Sequence, residues 1–158
     1  MNARMRRSGT TLLFALFAGM LLVTGCTSTA IVDVPGGARH QEASEVAASM
    51  VGKPYRYGGS TPQGFDCSGL VHFSFQRAGM SVPRSTKTQR DRSRKVPAAR
   101  LARGDLLFFN QEGRRSSHVG IYLGGNRFVH APSSGKRVRV DSLTDTYWQK
   151  HLVDVRRF

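Results

Sequence analysis

Chemistry in this 158-residue sequence converges on one cysteine. A thiol is a strong nucleophile only as a thiolate, and at an ordinary pKa of about 8.5 only a few per cent is ionised at neutral pH. Cys67 has help built into its position. Asp66 precedes it as an N-cap residue, and Leu70, Val71, Ser74, Phe75 and Ala78 follow at helical spacing until Gly79 closes the run. The sulfur is therefore expected on the first turn of a helix, where unpaired backbone N–H groups and the positive dipole end favour the anion. Asp66, Ser68 and Gly69 are small or polar, so this helix start can lie open to a substrate.

Five histidines compete to be its proton acceptor. His40 lies at the expected edge of the domain. His72 follows Cys67 by five positions, about 140° around a helix, and faces elsewhere. His151 belongs to the terminal segment. His118 and His130 remain. One opens and the other ends the two strands of a hairpin turning at Gly124-Gly125-Asn126, so their imidazoles are expected approximately paired across it, as a base and its orienter. Two other readings stand beside this one: a buried, inert thiol at Cys67, or a zinc site from Cys67, His118 and His130, although no CxxC or HExxH spacing supports the metal.

The elements that must position these residues follow from periodicity. Glu42 to Val51 forms a helix stopped by Gly52, with Pro54 beyond, and Tyr55 to Gly64 is loop-like through Gly58, Gly59 and Pro62. Cys67 to Ala78 is the helix described above, and Ser85 to Arg92 forms a short one capped by Ser85. The pattern then turns strand-like over Asp105 to Phe109, His118 to Leu123, Arg127 to His130 and Arg137 to Val140. A short helix over Thr144 to His151 and a last strand, Leu152 to Arg156, finish the chain. Helices first and an antiparallel sheet second is an α+β order. The aromatic residues Phe73, Phe75, Phe108, Phe109 and Trp148 are expected in the core.

Upstream, Arg4, Arg6 and Arg7, an apolar run from Leu12 to Val23, and then Thr24-Gly25-Cys26 give the order of an export signal. The run is short for a bilayer span. It resembles a bacterial lipoprotein signal, which implies cleavage before Cys26, diacylation of that thiol, and acyl chains that hold the domain to a membrane. Thr27 in place of Asp implies the periplasmic face of the outer membrane. The expected organisation is a signal peptide over 1–25, a lipidated tether over 26–40, rich in Pro35, Gly36 and Gly37, and one domain over 41–158. A domain of that length needs neither disulfide nor metal to hold its core.

The full chain has 24 basic and 10 acidic side chains. Removing residues 1–25 takes three arginines and leaves a net charge near +11, which favours anionic partners such as carboxylate-bearing peptides and phosphate-bearing membranes. An exported, lipidated chain does not meet nucleic acid, so that partner is set aside. The stretch from Arg84 to Arg103 concentrates eight of the basic residues against Asp91 alone, as a solvated face or a docking surface.

Six ordered blocks carry a wider resemblance: Pro54-Tyr55-Arg56-Tyr57-Gly58-Gly59, Phe65-Asp66-Cys67-Ser68-Gly69-Leu70-Val71, Val82-Pro83-Arg84-Ser85-Thr86, Arg103-Gly104-Asp105-Leu106-Leu107-Phe108-Phe109, Ser117-His118-Val119-Gly120-Ile121-Tyr122 and Phe128-Val129-His130-Ala131. In order and spacing they resemble the NlpC-type (p-sixty) family of cell-wall cysteine peptidases. The resemblance implies a papain-like fold, with N-terminal helices on a mainly antiparallel sheet, that hydrolyses amide bonds in peptidoglycan stem peptides or their cross-links. It implies Cys67 as nucleophile, His118 as base and acid, His130 as its orienter, and Tyr57 beside the oxyanion hole. Asp66 and Ser68 match positions that touch the substrate stem in some members, against a plainer role as helix cap and small first-turn residue. No cofactor or metal is implied, and a monomer is expected. The alternative is an inactive wall-binding or scaffold lipoprotein of the same fold.

Overall fold

The run Leu106-Leu107-Phe108-Phe109 is apolar at every position, so a strand made from it must be covered on both faces. The computed structural model describes residues 37–111 and 113–158 and meets that demand. Its elements are α1 (Gly37–Ser49), β1 (Ser60–Thr61), β2 (Gly64–Phe65), α2 (Cys67–Arg77), α3 (Thr86–Arg92), β3 (Arg94–Lys95), β4 (Leu106–Gln111), β5 (Arg114–Gly124), β6 (Arg127–His130), β7 (Arg139–Ser142), α4 (Thr146–His151) and β8 (Leu152–Arg157). Six strands form one antiparallel sheet in the order β3-β8-β4-β5-β6-β7, with the apolar β4 near its centre. This is the α+β architecture expected from the element order. Cys26, the segment 1–25 and all of 26–36 lie outside the described residues.

Strand alternation divides the core. Leu106 and Phe108 of β4, Val119 and Ile121 of β5 and Val129 of β6 face α1 and α2, meeting Ala43, Ala47, Leu70, Val71 and Phe75. Leu107, Phe109, Tyr122 and Phe128 face the other way and are closed over by Trp148 of α4. His118 and His130 share this second face, where Phe109, Phe128 and Trp148 surround them.

Four local differences from the sequence expectation have physical causes. α1 begins at Gly37 rather than Glu42, because its buried stripe is His40, Ala43, Ser44 and Ala47, helical in spacing but small or polar in type. His40 is thus a buried helix residue against Phe75, not an edge residue. The loop after Tyr55 contains the hairpin β1–β2, too short for any period to appear. β7 starts two residues late, since Gly52 N–H donates to the Val138 carbonyl and Val138 N–H to the Lys53 carbonyl, both at 2.8 Å, drawing that stretch toward the end of α1. Finally, His118 and His130 are not opposite one another: Ile121 pairs with Val129, which carried one step along sets Gly120 against His130 and leaves His118 on the diagonal.

Away from the histidines, one ion pair ties the sheet to the turn before β4. Asp105 is fully buried, takes Arg157 at 2.5 and 2.8 Å on its two oxygens, and accepts the Ala102 N–H at 2.8 Å. Truncating it would strand a guanidinium and an amide. Asp105→Ala is expected to lower unfolding free energy by about 3–5 kcal/mol, read from urea denaturation of the full chain.

Candidate active site

A helix start is useful only if something fixes it, and here Asp66 does. With φ −89° and ψ 175° it is the N-cap of α2, and its Oδ1 accepts the Gly69 N–H at 2.6 Å. The same carboxylate accepts Gly58 N–H at 2.9 Å, Ser68 Oγ–H at 3.1 Å and a two-pronged Arg84 guanidinium at 2.9 and 2.7 Å. Arg84 also donates to Ser68 Oγ and to the Gly59 carbonyl, both at 3.0 Å. The chain approaches so closely that a Cβ on Gly69 would stand 1.9 Å from the Gly59 oxygen. Behind this knot, Gln89 of α3 donates to the Ser68 and Pro83 carbonyls at 2.9 and 2.8 Å.

Cys67 is a free, partly buried cysteine at the floor of a cleft of about 520 Å³ whose walls include Tyr55, Tyr57, Arg84, Thr86 and Ser117. Its sulfur lies 3.7 Å from the Thr86 hydroxyl and within reach of the backbone N–H groups of Val119 and Ser68. Val119 follows His118, so the sulfur lies against the β5 backbone one residue from His118. Burial nevertheless pushes the thiol above its ordinary value, and Asp66 adds to the rise, against the opposing pull of Thr86, Val119 and Ser68. The acidified thiolate expected from the helix start is therefore not the resting form: desolvation outweighs the helix end.

The imidazoles are neutral as well. Burial first, and His130 second, depress His118 to about 3, while burial depresses His130 to about 4 despite the pull of Asp141. His118 Nε2 and His130 Nδ1 are 2.7 Å apart. His130 Nε2 is in turn 3.0 Å from Asp141 Oδ2, which also accepts from Trp148 Nε1 at 3.1 Å and from Arg139 at 2.8 and 3.1 Å. The Trp148 ring stacks against His118 at 5.9 Å. Thiol and imidazoles are thus neutral together, with His118 held from behind by His130 and Asp141.

The other expected site residues are distributed as follows. Asp66 and Ser68 line the cleft, but Asp66 is already fully engaged as cap and ion-pair partner, which is the plainer of its two expected roles. Tyr57 is the corner residue of the Arg56–Gly59 turn, 87% exposed, and lines the mouth of the cleft. Tyr55 is the phenol that senses Cys67, its pKa raised by burial and then by the Cys67 charge. His72 binds the Val82 carbonyl and His151 the Tyr147 carbonyl, both as local ties. Asp141, Thr86 and the Arg84 clamp were not singled out by sequence. Arg84 and Thr86 lie within a matched block, whereas Asp141 has no spacing signal at all. Among the described residues no group of three or more His, Cys, Asp or Glu is arranged to hold a metal ion.

Comparison with known proteins agrees with this geometry. Residues 52–157 match the NlpC/P60 family. The murein DD-endopeptidase MepH of Escherichia coli K12 is 40% identical over 129 residues, which is 76% of this chain and 48% of that protein. The probable endopeptidase NlpC homolog of Haemophilus influenzae is 43% identical over 115 residues, 72% of this chain and 60% of its own. The chain thus spans about half the length of these relatives. Among solved structures, the NlpC/p60 domain of the peptidoglycan hydrolase SagA superposes with TM-score 0.64 at 31% identity, covering 75% of this chain and 98% of that one.

Two outcomes follow from the neutral site. Unfolded, both histidines take up protons near 6.5; folded, they resist until about 4 and about 3. Between those limits the unfolded chain binds more protons, so stability falls as pH falls from 6.5 toward 4, by on the order of 1 kcal/mol per pH unit for each histidine. Urea midpoints at pH 7, 5.5 and 4.5 measure this, and His118→Asn should flatten the slope. Alkylation of Cys67 by an uncharged reagent should climb with pH to a midpoint above that of an ordinary thiol, without a plateau near neutrality.

Proposed function

The chain belongs to the NlpC/P60 family, and from that premise we propose that its domain is a cysteine endopeptidase that hydrolyses amide bonds in peptidoglycan stem peptides or their cross-links. The observation that carries this reading is the row running from Asp141 through His130 to His118, one residue along β5 from the Val119 N–H that reaches the Cys67 sulfur in an open cleft. A buried polar row of this kind is costly to assemble for packing alone.

In the proposed reaction, substrate displaces water from the cleft and its scissile carbonyl comes to the sulfur. His118 takes the thiol proton as the C–S bond forms, and the tetrahedral oxyanion is met by the Cys67 backbone N–H, one of the unpaired donors of the first turn of α2. A fixed oxyanion donor is worth about 3–4 kcal/mol. We assign the accompanying phenol to Tyr55, which packs beside the sulfur, in place of Tyr57. His118 then returns its proton to the leaving amine, and water releases the acyl group from Cys67. Arg84 and Ser68 present a guanidinium and a hydroxyl on the cleft wall, chemistry suited to the free carboxylates of a peptide stem.

The wider reading includes the anchor. Acylation at Cys26 would keep the domain on the periplasmic face of the outer membrane as a monomer, within reach of the wall, with the basic excess favouring its anionic substrate. Relatives carry names for two kinds of cut: MepH is a murein DD-endopeptidase, while a Bacillus subtilis relative at 39% identity is a gamma-D-glutamyl-L-lysine dipeptidyl-peptidase. Both bonds lie within the proposed substrate class.

Digestion of purified peptidoglycan by the full chain in detergent, with fragments read by mass, is the test. Wild type should release peptide fragments whose masses name the bond, and Cys67→Ala should release none. His130→Ala should retain more activity than Cys67→Ala, because an orienting residue costs geometry and not the nucleophile. A wild type that releases nothing from walls of either cross-link chemistry would put the inactive scaffold ahead.

A further inference from the structure

An ionised carboxylate can only accept hydrogen bonds, whereas a neutral imidazole has one donor and one acceptor. Placing the former at the end of a row of the latter therefore fixes every proton along it. Asp141 is such an end. Partial burial acts to raise its pKa, but Arg139 and His130 overcome this and hold the carboxyl below the usual range. Its Oδ2 meets three further donor groups besides His130, if the two Arg139 nitrogens are counted with Trp148 Nε1, and none of these can ever accept. His130 must then carry its single proton on Nε2, facing Asp141 at 3.0 Å. Its Nδ1 is left as an acceptor, so the 2.7 Å contact places the proton of His118 on Nε2. The remaining ring nitrogen of His118, Nδ1, is a bare lone pair. That is the state a general base needs before it meets a thiol.

We propose that Asp141 is a positioning residue that sets the tautomer of His118 through His130, extending the site to a four-member relay of Cys67, His118, His130 and Asp141. The importance of this relay for catalysis rests on the peptidase reading above; its proton arrangement does not. When Cys67 gives up its proton, the proton moves from Sγ to His118 Nδ1. Nothing further transfers: His130 keeps the proton on Nε2, and Asp141 stays ionised, opposing the new imidazolium charge from two rings away. Arg139 and Trp148 donate to the Asp141 oxygen that faces His130 and fix its position.

The arrangement separates acceptor from charge in a way that mutants can read. Because Arg139 and Trp148 also donate to Oδ2, Asp141→Asn should seat its amide oxygen there and keep the tautomers, whereas Asp141→Ala removes the acceptor. The experiment is ¹⁵N NMR of the histidine rings at pH 7 in the full chain, for wild type and both variants, with kcat and KM on peptidoglycan beside it. Wild type should show His118 and His130 both protonated on Nε2. Asp141→Ala should lose that preference at His130 and His118 and lower kcat by roughly 10- to 100-fold with little change in KM, a size typical of groups that orient a histidine from behind. Asp141→Asn should keep the tautomers and recover most of the lost kcat. A wild-type His118 carrying its proton on Nδ1 overturns the assignment without any mutant, as do Ala tautomers identical to wild type, or an Asn variant as slow as the Ala variant. The two readings fail separately. An inactive wild type with the expected tautomers defeats the peptidase and leaves the role of Asp141 in place.

Discussion

The site depends on a single carboxylate being saturated. Asp66 caps α2, receives the Arg84 fork, and accepts from the turn at Gly58, so three separate stretches of chain are fixed relative to one another by one side chain. Each bond is charge-assisted, which makes it stronger than its neutral counterpart. The knot decides where the first turn of α2 begins, and the first turn decides where the sulfur of Cys67 stands. Gly69 follows from it, because a Cβ there would strike the Gly59 carbonyl once loop and helix are drawn that close.

The same compactness sets the protonation state. A helix start lowers a thiol pKa by offering donors and a dipole, effects of modest size at an exposed end. Removing solvent acts in the opposite sense and grows with burial. At Cys67 the second effect prevails, and the imidazoles of His118 and His130 are driven the same way, toward neutrality. Thiol and imidazoles therefore rest uncharged together. Aromatic walls from Phe109, Phe128 and Trp148 maintain that dry environment around the histidines.

Much of this was legible in the sequence, and the parts that were not share a cause. The boundaries of α2, the Ser85 cap of α3 and the strand β6 follow directly from apolar spacing and capping chemistry. Cys67, His118 and His130 stood out because their residue types are rare and their elements periodic. What escaped notice depended on burial or on register. The stripe of α1 is made of His40, Ala43, Ser44 and Ala47, which hydropathy does not mark. Tyr55 and Tyr57 are indistinguishable until the turn half-buries one and leaves the other exposed at the cleft mouth. Asp141 lies eleven residues from His130 and joins it only because β6 and β7 pair as a hairpin, with Arg139 opposite His130.

That pairing also explains why the relay runs along one direction. His118, His130 and Asp141 sit on three successive strands, β5, β6 and β7, and the row crosses the sheet on a diagonal, with Asp141 opposite Phe128 rather than His130. The sheet's hydrogen-bond ladders fix the strand spacing, and with it the separation available to the two rings. Diagonal offset between His118 and His130, made by the register around Gly120, brings ring nitrogens to 2.7 Å where direct opposition would set ring against ring. A row built on a ladder is rigid across its whole length, and so the His118 ring at its near end is held in place without any residue of α2 touching the far end.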